Sequence, residues 1–130
     1  MAAFSSGPGA AMNNAGKNAG SGVTHWWAQR LTAIALVPLC LWFVAALVRH
    51  AGAGRLEVIA WLSDPVSAVL MILMLVATLY HTVLGIEEVI IDYVHKASLR
   101  HASLIGVKLL GVLLIAASVF AVLSISIGGR

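Results

Sequence analysis

Three long stretches without a charged residue dominate this sequence and restrict what it can fold into. They run from Leu31 to Val48, from Pro65 to Ile86 and from Leu109 to Gly129. A helix that crosses the hydrocarbon core of a membrane needs about 20 apolar residues. The sequence therefore predicts an all-α membrane protein with three transmembrane helices. The predicted spans are 28–49, 65–92 and 104–127.

The composition supports a membrane protein rather than a soluble domain. Only 10% of the residues are charged, whereas a soluble domain carries about 25%. The formal net charge is +3, but the basic residues flank the apolar stretches and form no basic face. Nucleic acid is therefore not an expected partner. The single cysteine, Cys40, excludes a disulfide within the chain.

The segment before the first apolar stretch and the distribution of basic residues predict the topology. Residues 1–22 are rich in Ala, Gly, Ser and Asn and predict a flexible tail ahead of a membrane domain at 23–130. With three spans, the N-terminus and the second loop share one side of the membrane. That side carries more basic residues, which predicts that it is the inner side. Its basic residues are Lys17, Arg30, Lys96, Arg100 and Lys108, and those of the other side are Arg49, Arg55 and Arg130.

The second apolar stretch is free of charged residues but contains one histidine, His81. Such a side chain is costly inside a membrane unless it has a partner, so it indicates a functional site. Neutral imidazole is a good axial ligand for haem iron. Gly85 lies four residues on, on the same helical face, and leaves room for a flat macrocycle. The residues alone also allow a histidine that hydrogen-bonds a neighbouring helix, with Gly85 serving helix packing.

Polar residues near the helix ends are further candidates for the site. Asp92 lies on the face of His81, roughly 16 Å further along the helix. Beside it, the Tyr93 hydroxyl can donate a hydrogen bond to a quinone carbonyl, or the pair can be an interfacial anchor and a solvated acid. Arg30 can pair with a haem propionate or extend to the interface. The sequence gives no role for Glu87 and Glu88.

The motif around His81 resembles a known family. The run His81-Thr-Val-Leu-Gly85-Ile-Glu-Glu-Val-Ile-Ile-Asp92-Tyr93 resembles the H-x-x-x-G-x(6)-D-Y motif of the hydrophobic membrane anchor subunit of succinate dehydrogenase, the D-type chain of complex II. The segment Gln29-Arg30-Leu31-Thr32-Ala33 resembles that family's R-x-T-A segment at the start of its first helix. Trp61 and the three-span layout agree, so the resemblance covers residues 24–130.

The resemblance implies roles for four residues. His81 matches the axial ligand of haem b and is thus the metal ligand of the chain. Tyr93 and Asp92 match residues of the ubiquinone site, and Arg30 matches an arginine near the haem propionates. The chain departs from many members of the family at Ile91, where they carry a glutamate.

The resemblance also implies partners and a location. The partners are a companion C-type cytochrome b556 anchor, which supplies the second haem ligand, an iron–sulfur subunit, a flavoprotein subunit, ubiquinone and membrane lipid. The location is a bacterial inner membrane, with a cytoplasmic N-terminus and a periplasmic C-terminus. The chain carries no catalytic motif, so it would act as a subunit of succinate:quinone oxidoreductase. Two alternatives stay open: a fumarate reductase anchor that uses menaquinone, and a transporter or channel subunit without a redox role.

Overall fold

The computed structural model describes residues 8–129, with side chains from Gly20 onward. Its four helices are α1 (Pro8–Arg49), α2 (Arg55–Ser63), α3 (Pro65–Tyr93) and α4 (Ala97–Gly128), and this part of the chain contains no strand. Three helices are long and apolar enough to cross a membrane. They are Gly20–Arg49 within α1, Pro65–Tyr93 and Ala97–Gly128. The predicted all-α chain with three spanning helices is confirmed.

The helix bounds differ from the predicted ones mainly at the starts of α1 and α4. α4 begins at Ala97 and not at 104, so the connection from α3 shortens to residues 94–96. α1 begins at Pro8 and therefore includes residues 8–22, which the sequence predicts as part of a flexible tail. Residues 1–7 of that tail, and Arg130, lie outside the described residues. The boundary predicted at residue 23 stays a prediction.

α3 packs between α1 and α4, and α2 lies against one end of both α3 and α4. Neighbouring long helices run antiparallel, because Thr32 of α1 meets His81, and Lys108 of α4 meets Glu87. The described side chains bury few apolar groups among themselves. The buried hydrophobic residues are Ala46, Leu62, Ala68, Leu84 and Val122. Lipid and other chains must therefore cover most of the apolar surface.

Local hydrogen bonds and ring packing stabilise the amino end of α3. We call the residues Gly52, Trp61, Asp64 and Ser67 the capped end. The Asp64 carboxylate accepts hydrogen bonds from the backbone N–H of Ser67 at 2.9 Å and from its hydroxyl at 3.0 Å. These bonds hold the pKa of Asp64 below its usual value. The indole of Trp61 stacks on His50, with ring centroids 4.8 Å apart. Gly52 makes the turn from α1 to α2 with a φ of 88°.

Candidate functional site

His81 lies in α3 and is half-buried, and its ring is held by a residue of α1. The Nδ1 atom lies 2.9 Å from the hydroxyl oxygen of Thr32. That hydroxyl also reaches the backbone carbonyls of Ala28 at 2.8 Å and Gln29 at 3.0 Å. The other ring nitrogen, Nε2, has no hydrogen-bond partner within the part of the chain whose side chains are described. The α1–α3 interface thus fixes the imidazole through one nitrogen only.

His81 and Arg30 meet at one surface concavity between α1 and α3. The concavity has a volume of about 380 Å³ and is lined by Gln29, Arg30, Ala33, Ile34 and His81. The guanidinium of Arg30 lies 4.7 Å from the ring centroid of Trp26. Among the described side chains, none of the carboxylates forms an ion pair with it. The two residues that the sequence singles out for a haem therefore share one surface.

The residues of the concavity match what one face of a haem requires. An imidazole nitrogen without a partner can ligate iron, and an unpaired guanidinium can hold a propionate. Ala33 and Ile34 supply apolar walls, and the buried Oε1 of Gln29 has no hydrogen-bond partner among the described residues. This donor set fits the group. The residues from Gly20 to Gly129 contain no cluster of three or more His, Cys, Asp and Glu side chains that could hold a metal ion.

Gly85 lies beside α1, with room around it. A Cβ built on it would meet only the Gln29 Nε2 atom, at 3.8 Å, which is an ordinary contact. A methyl group at this position is therefore compatible with the packing of this chain. The space that Gly85 leaves faces the side chain of Gln29, which also lines the His81 concavity.

Asp92 and Tyr93 end α3 and are exposed. Tyr93 has 77% of its surface exposed, and its backbone carbonyl lies 3.1 Å from the ring Nδ1 of His95. Neither residue lines the concavity of His81. This chain therefore supplies at most one wall of any pocket at that end.

Sequence reasoning missed a charged cluster, which the structure builds from all three long helices. The ring of His25 lies between two carboxylates, with its Nδ1 2.8 Å from Glu88 Oε1 and its Nε2 3.4 Å from Glu87 Oε2. The Nζ of Lys108 lies 3.6 Å from Glu87 Oε1. Glu87 is buried, with 6% of its surface exposed, and its carboxyl group lies between the ring of His25 and the amine of Lys108.

A second, larger cavity of about 590 Å³ opens beside this cluster. His25, Glu87 and Lys108 line it together with apolar residues of α3 and α4. In its wall, Gly111 of α4 touches the side chain of Val83 so closely that a Cβ on Gly111 would overlap it. We call His25, His81, Glu87 and Lys108 the polar end of the bundle. The sequence signal that could have located it is the pair Glu87 and Glu88 inside a span, since buried acids need partners.

The fold and these residues define a small multi-pass helical membrane protein with a cluster of ionisable side chains from its three long helices near one end. The matching family model is described as "Succinate dehydrogenase/Fumarate reductase transmembrane subunit" and covers residues 14–124. The chain belongs to this family of transmembrane subunits. The resemblance predicted from the motif around His81 is thereby confirmed.

Individual relatives carry a matching name. The chain is 36% identical over 110 residues to the succinate dehydrogenase hydrophobic membrane anchor subunit of Rickettsia bellii, covering 82% of this chain and 87% of that protein. It is 28% identical over 111 residues to the protein of the same name from Paracoccus denitrificans, covering 85% of each. No solved structure gives a significant match.

Proposed function

We propose that this chain anchors a succinate dehydrogenase to the membrane, supplies one axial ligand to a haem b through His81 and forms one wall of a ubiquinone site with Tyr93 and Asp92. The observation that carries the haem assignment is the shared concavity of His81 and Arg30, where, within the described part of the chain, the ring Nε2 has no hydrogen-bond partner and the guanidinium has no carboxylate partner. The relatives named above, all succinate dehydrogenase anchor subunits, support the choice of complex.

Two residues of the concavity would bind different parts of the cofactor. His81 would ligate the iron through Nε2, and Arg30 would pair with a propionate. When bound, haem b supplies one-electron redox chemistry in the membrane. As the family resemblance implies, a companion cytochrome b556 anchor would provide the second ligand.

The quinone site would lie at the carboxyl end of α3. Reduction of ubiquinone consumes two electrons and two protons, and both must arrive at the ring. The Tyr93 hydroxyl would donate a hydrogen bond to a quinone carbonyl, and Asp92 would orient that hydroxyl or pass protons from water. The exposure of both residues supports this role, because the iron–sulfur subunit and the companion anchor would close the pocket.

The orientation follows from where the electrons enter. The iron–sulfur and flavoprotein subunits would dock at the α3–α4 connection, on the cytoplasmic side of a bacterial inner membrane. A reporter fused after Arg130, and a second one placed at Gly54, should both report the periplasm. If both reporters face the cytoplasm, the quinone site would be separated from its electron donor and the proposed orientation would be wrong.

The haem assignment is tested by His81→Ala in the assembled complex. We expect loss of the haem b signal in reduced-minus-oxidised spectra, while His101→Ala, a change at an exposed histidine of α4, keeps it. Full haem content with a normal low-spin spectrum in His81→Ala would rule out His81 as the ligand.

The quinone assignment is tested by Tyr93→Phe, with Tyr80→Phe as the control at the other tyrosine of α3. A hydrogen bond of this kind contributes about 0.5–1.5 kcal/mol, and more when the partner is left unsatisfied. We expect quinone turnover to fall about 3-fold or more, while succinate oxidation with an artificial acceptor is retained. An equal fall in quinone turnover in Tyr93→Phe and Tyr80→Phe would mean that the Tyr93 hydroxyl has no specific role at the quinone site.

A further inference from the structure

Thr32 contacts the imidazole of His81, and the geometry of its hydroxyl decides which ring nitrogen carries the proton. A threonine hydroxyl has one proton to donate and two lone pairs to accept with. Its oxygen lies 2.8 Å from the carbonyl of Ala28 and 3.0 Å from that of Gln29, and both groups can only accept. Donation to a carbonyl about one turn earlier is the usual bond of a threonine inside a helix.

This assignment leaves Thr32 as an acceptor toward His81. The Nδ1 atom, at 2.9 Å, must then carry the proton and donate it to Thr32. A neutral imidazole has a single ring proton, so Nε2 keeps a free lone pair. In the opposite arrangement the Thr32 hydroxyl would donate to Nδ1 and would no longer bond to either carbonyl. The ring proton would then lie on Nε2, which could not bind a metal. The two carbonyl acceptors favour the first arrangement.

We propose that Thr32 is a positioning residue that holds His81 in the Nδ1–H form and aims Nε2 at the concavity shared with Arg30. The proposal rests on the proposed function, in which His81 ligates haem iron. A hydrogen bond from the second ring nitrogen orients a ligating histidine and raises its basicity. A more basic ligand favours ferric iron, so the Thr32 hydroxyl would lower the potential of the haem.

The test compares Thr32→Val, Thr32→Ser and Thr32→Ala in the assembled complex. Val keeps the shape and removes the hydroxyl, whereas Ser keeps the hydroxyl and removes the methyl group. We expect the haem of Thr32→Val to be lost about 10-fold more readily in detergent, with a higher midpoint potential and altered electron paramagnetic resonance of the ferric form. Thr32→Ser should behave as the parent. If Thr32→Val does not assemble, the same difference is expected between Ala and Ser.

Thr82→Val is the matched control. The Thr82 hydroxyl donates to the Thr78 carbonyl at 2.7 Å in the same helix as His81 but does not contact the ring, so its loss should leave haem retention and potential unchanged. Equal haem properties in Thr32→Val and Thr82→Val, or an equal shift in the Ser and Val variants of Thr32, would overturn the role of Thr32. Failure of the proposed function would appear separately, as unchanged haem in His81→Ala.

Discussion

The capped end and the polar end of the bundle differ in how completely their polar groups are hydrogen-bonded. At the capped end, Asp64 bonds to Ser67, and the His50 ring reaches the carbonyl of Ala46. Near the polar end, the buried Oε1 of Gln29 has no hydrogen-bond partner among the described residues, and the buried Nε2 of His25 has only the 3.4 Å contact with Glu87 Oε2. Buried polar atoms are rarely left in this state, because each costs about 1–3 kcal/mol. Among the described residues, the polar atoms of the capped end are therefore paired more completely than those near the polar end.

This difference suggests that the residues of the capped end serve mainly stability, and that candidate functional residues lie at the polar end. The capped end fixes the path from α1 through α2 into α3 and can be altered without reaching the candidate ligands. The polar end carries His81, the residue proposed as a haem ligand. Substitutions at the capped end should consequently change stability and leave the haem spectrum unchanged.

The largest effect is expected from Gly111→Val, which would push α4 away from α3 at the polar end. A side chain at Gly111 overlaps Val83, and overpacking of this kind costs about 1–3 kcal/mol, occasionally more. Gly106→Val is the matched control on the same helix, since nothing lies within 4 Å of a Cβ there. Thermal unfolding of the purified complex measures both. Equal midpoints would mean that α3 and α4 do not depend on close contact.

A smaller effect is expected from changes to the ion pair of Glu87 and Lys108. The Lys108 side chain is 62% exposed and can find water or lipid headgroups, whereas that of Glu87 is 8% exposed and cannot. Lys108→Met should therefore destabilise the complex by about 2 kcal/mol, and more than Glu87→Gln, which removes the buried charge and keeps its shape. The reverse order in thermal unfolding would show that Lys108 does not compensate Glu87.

The spans could be predicted from sequence because lipid imposes a simple requirement on length and polarity. α3 begins at Pro65 as predicted, since Asp64 and the proline mark a helix start. α4 begins at Ala97, ahead of the predicted span 104–127, and so includes Arg100, one of the basic residues predicted on the inner side. A helix continues past the membrane as long as its backbone bonds are satisfied. The nine-residue α2 is too short for a hydropathy signal.

The residues of the site could be predicted individually, but their pairing could not. His81 and Arg30 were both candidates from the sequence, and the structure brings them to one surface. The contacts of His81 with Thr32, and of His25 with Glu87, depend on how α1 slides against α3. Apolar surfaces fit in several registers, so hydropathy carries little information about this alignment.

At the capped end, Gly52→Ala should have a modest effect on stability and none on the haem. The φ of 88° at Gly52 is unfavourable for a residue with a Cβ, which costs about 1–2 kcal/mol. Gly54→Ala is the matched control in the same connection, because its φ of −73° suits any residue. We expect a lower unfolding midpoint for Gly52→Ala alone, with an unchanged haem spectrum in both. A changed haem spectrum in Gly52→Ala would show that the capped end and the polar end are not independent.

The smallest effect is expected at Asp64, whose contribution depends on pH. Its hydrogen bonds to Ser67 lower the pKa from the usual value of 3.8, so the ionised form is favoured in the folded chain. The added stability is fully present above the unfolded pKa and is lost as the pH falls through the lower folded pKa. Asp64→Asn keeps a good helix cap without the charge. The stability difference between parent and variant should be constant near neutral pH and shrink below about pH 4.

Titration of the Asp64 carboxyl group tests directly whether its hydrogen bonds to Ser67 lower its pKa. Carbon NMR of the complex in lipid nanodiscs should place its midpoint below 3.8. Ser67→Ala removes the hydroxyl donor and keeps the backbone N–H, which is the larger cause of the shift, so it should return the midpoint only part of the way. A midpoint at or above 3.8 in the parent would mean that the cap is not formed. The haem spectrum should be the same throughout, because the capped end lies at the opposite end of α3 from the polar end.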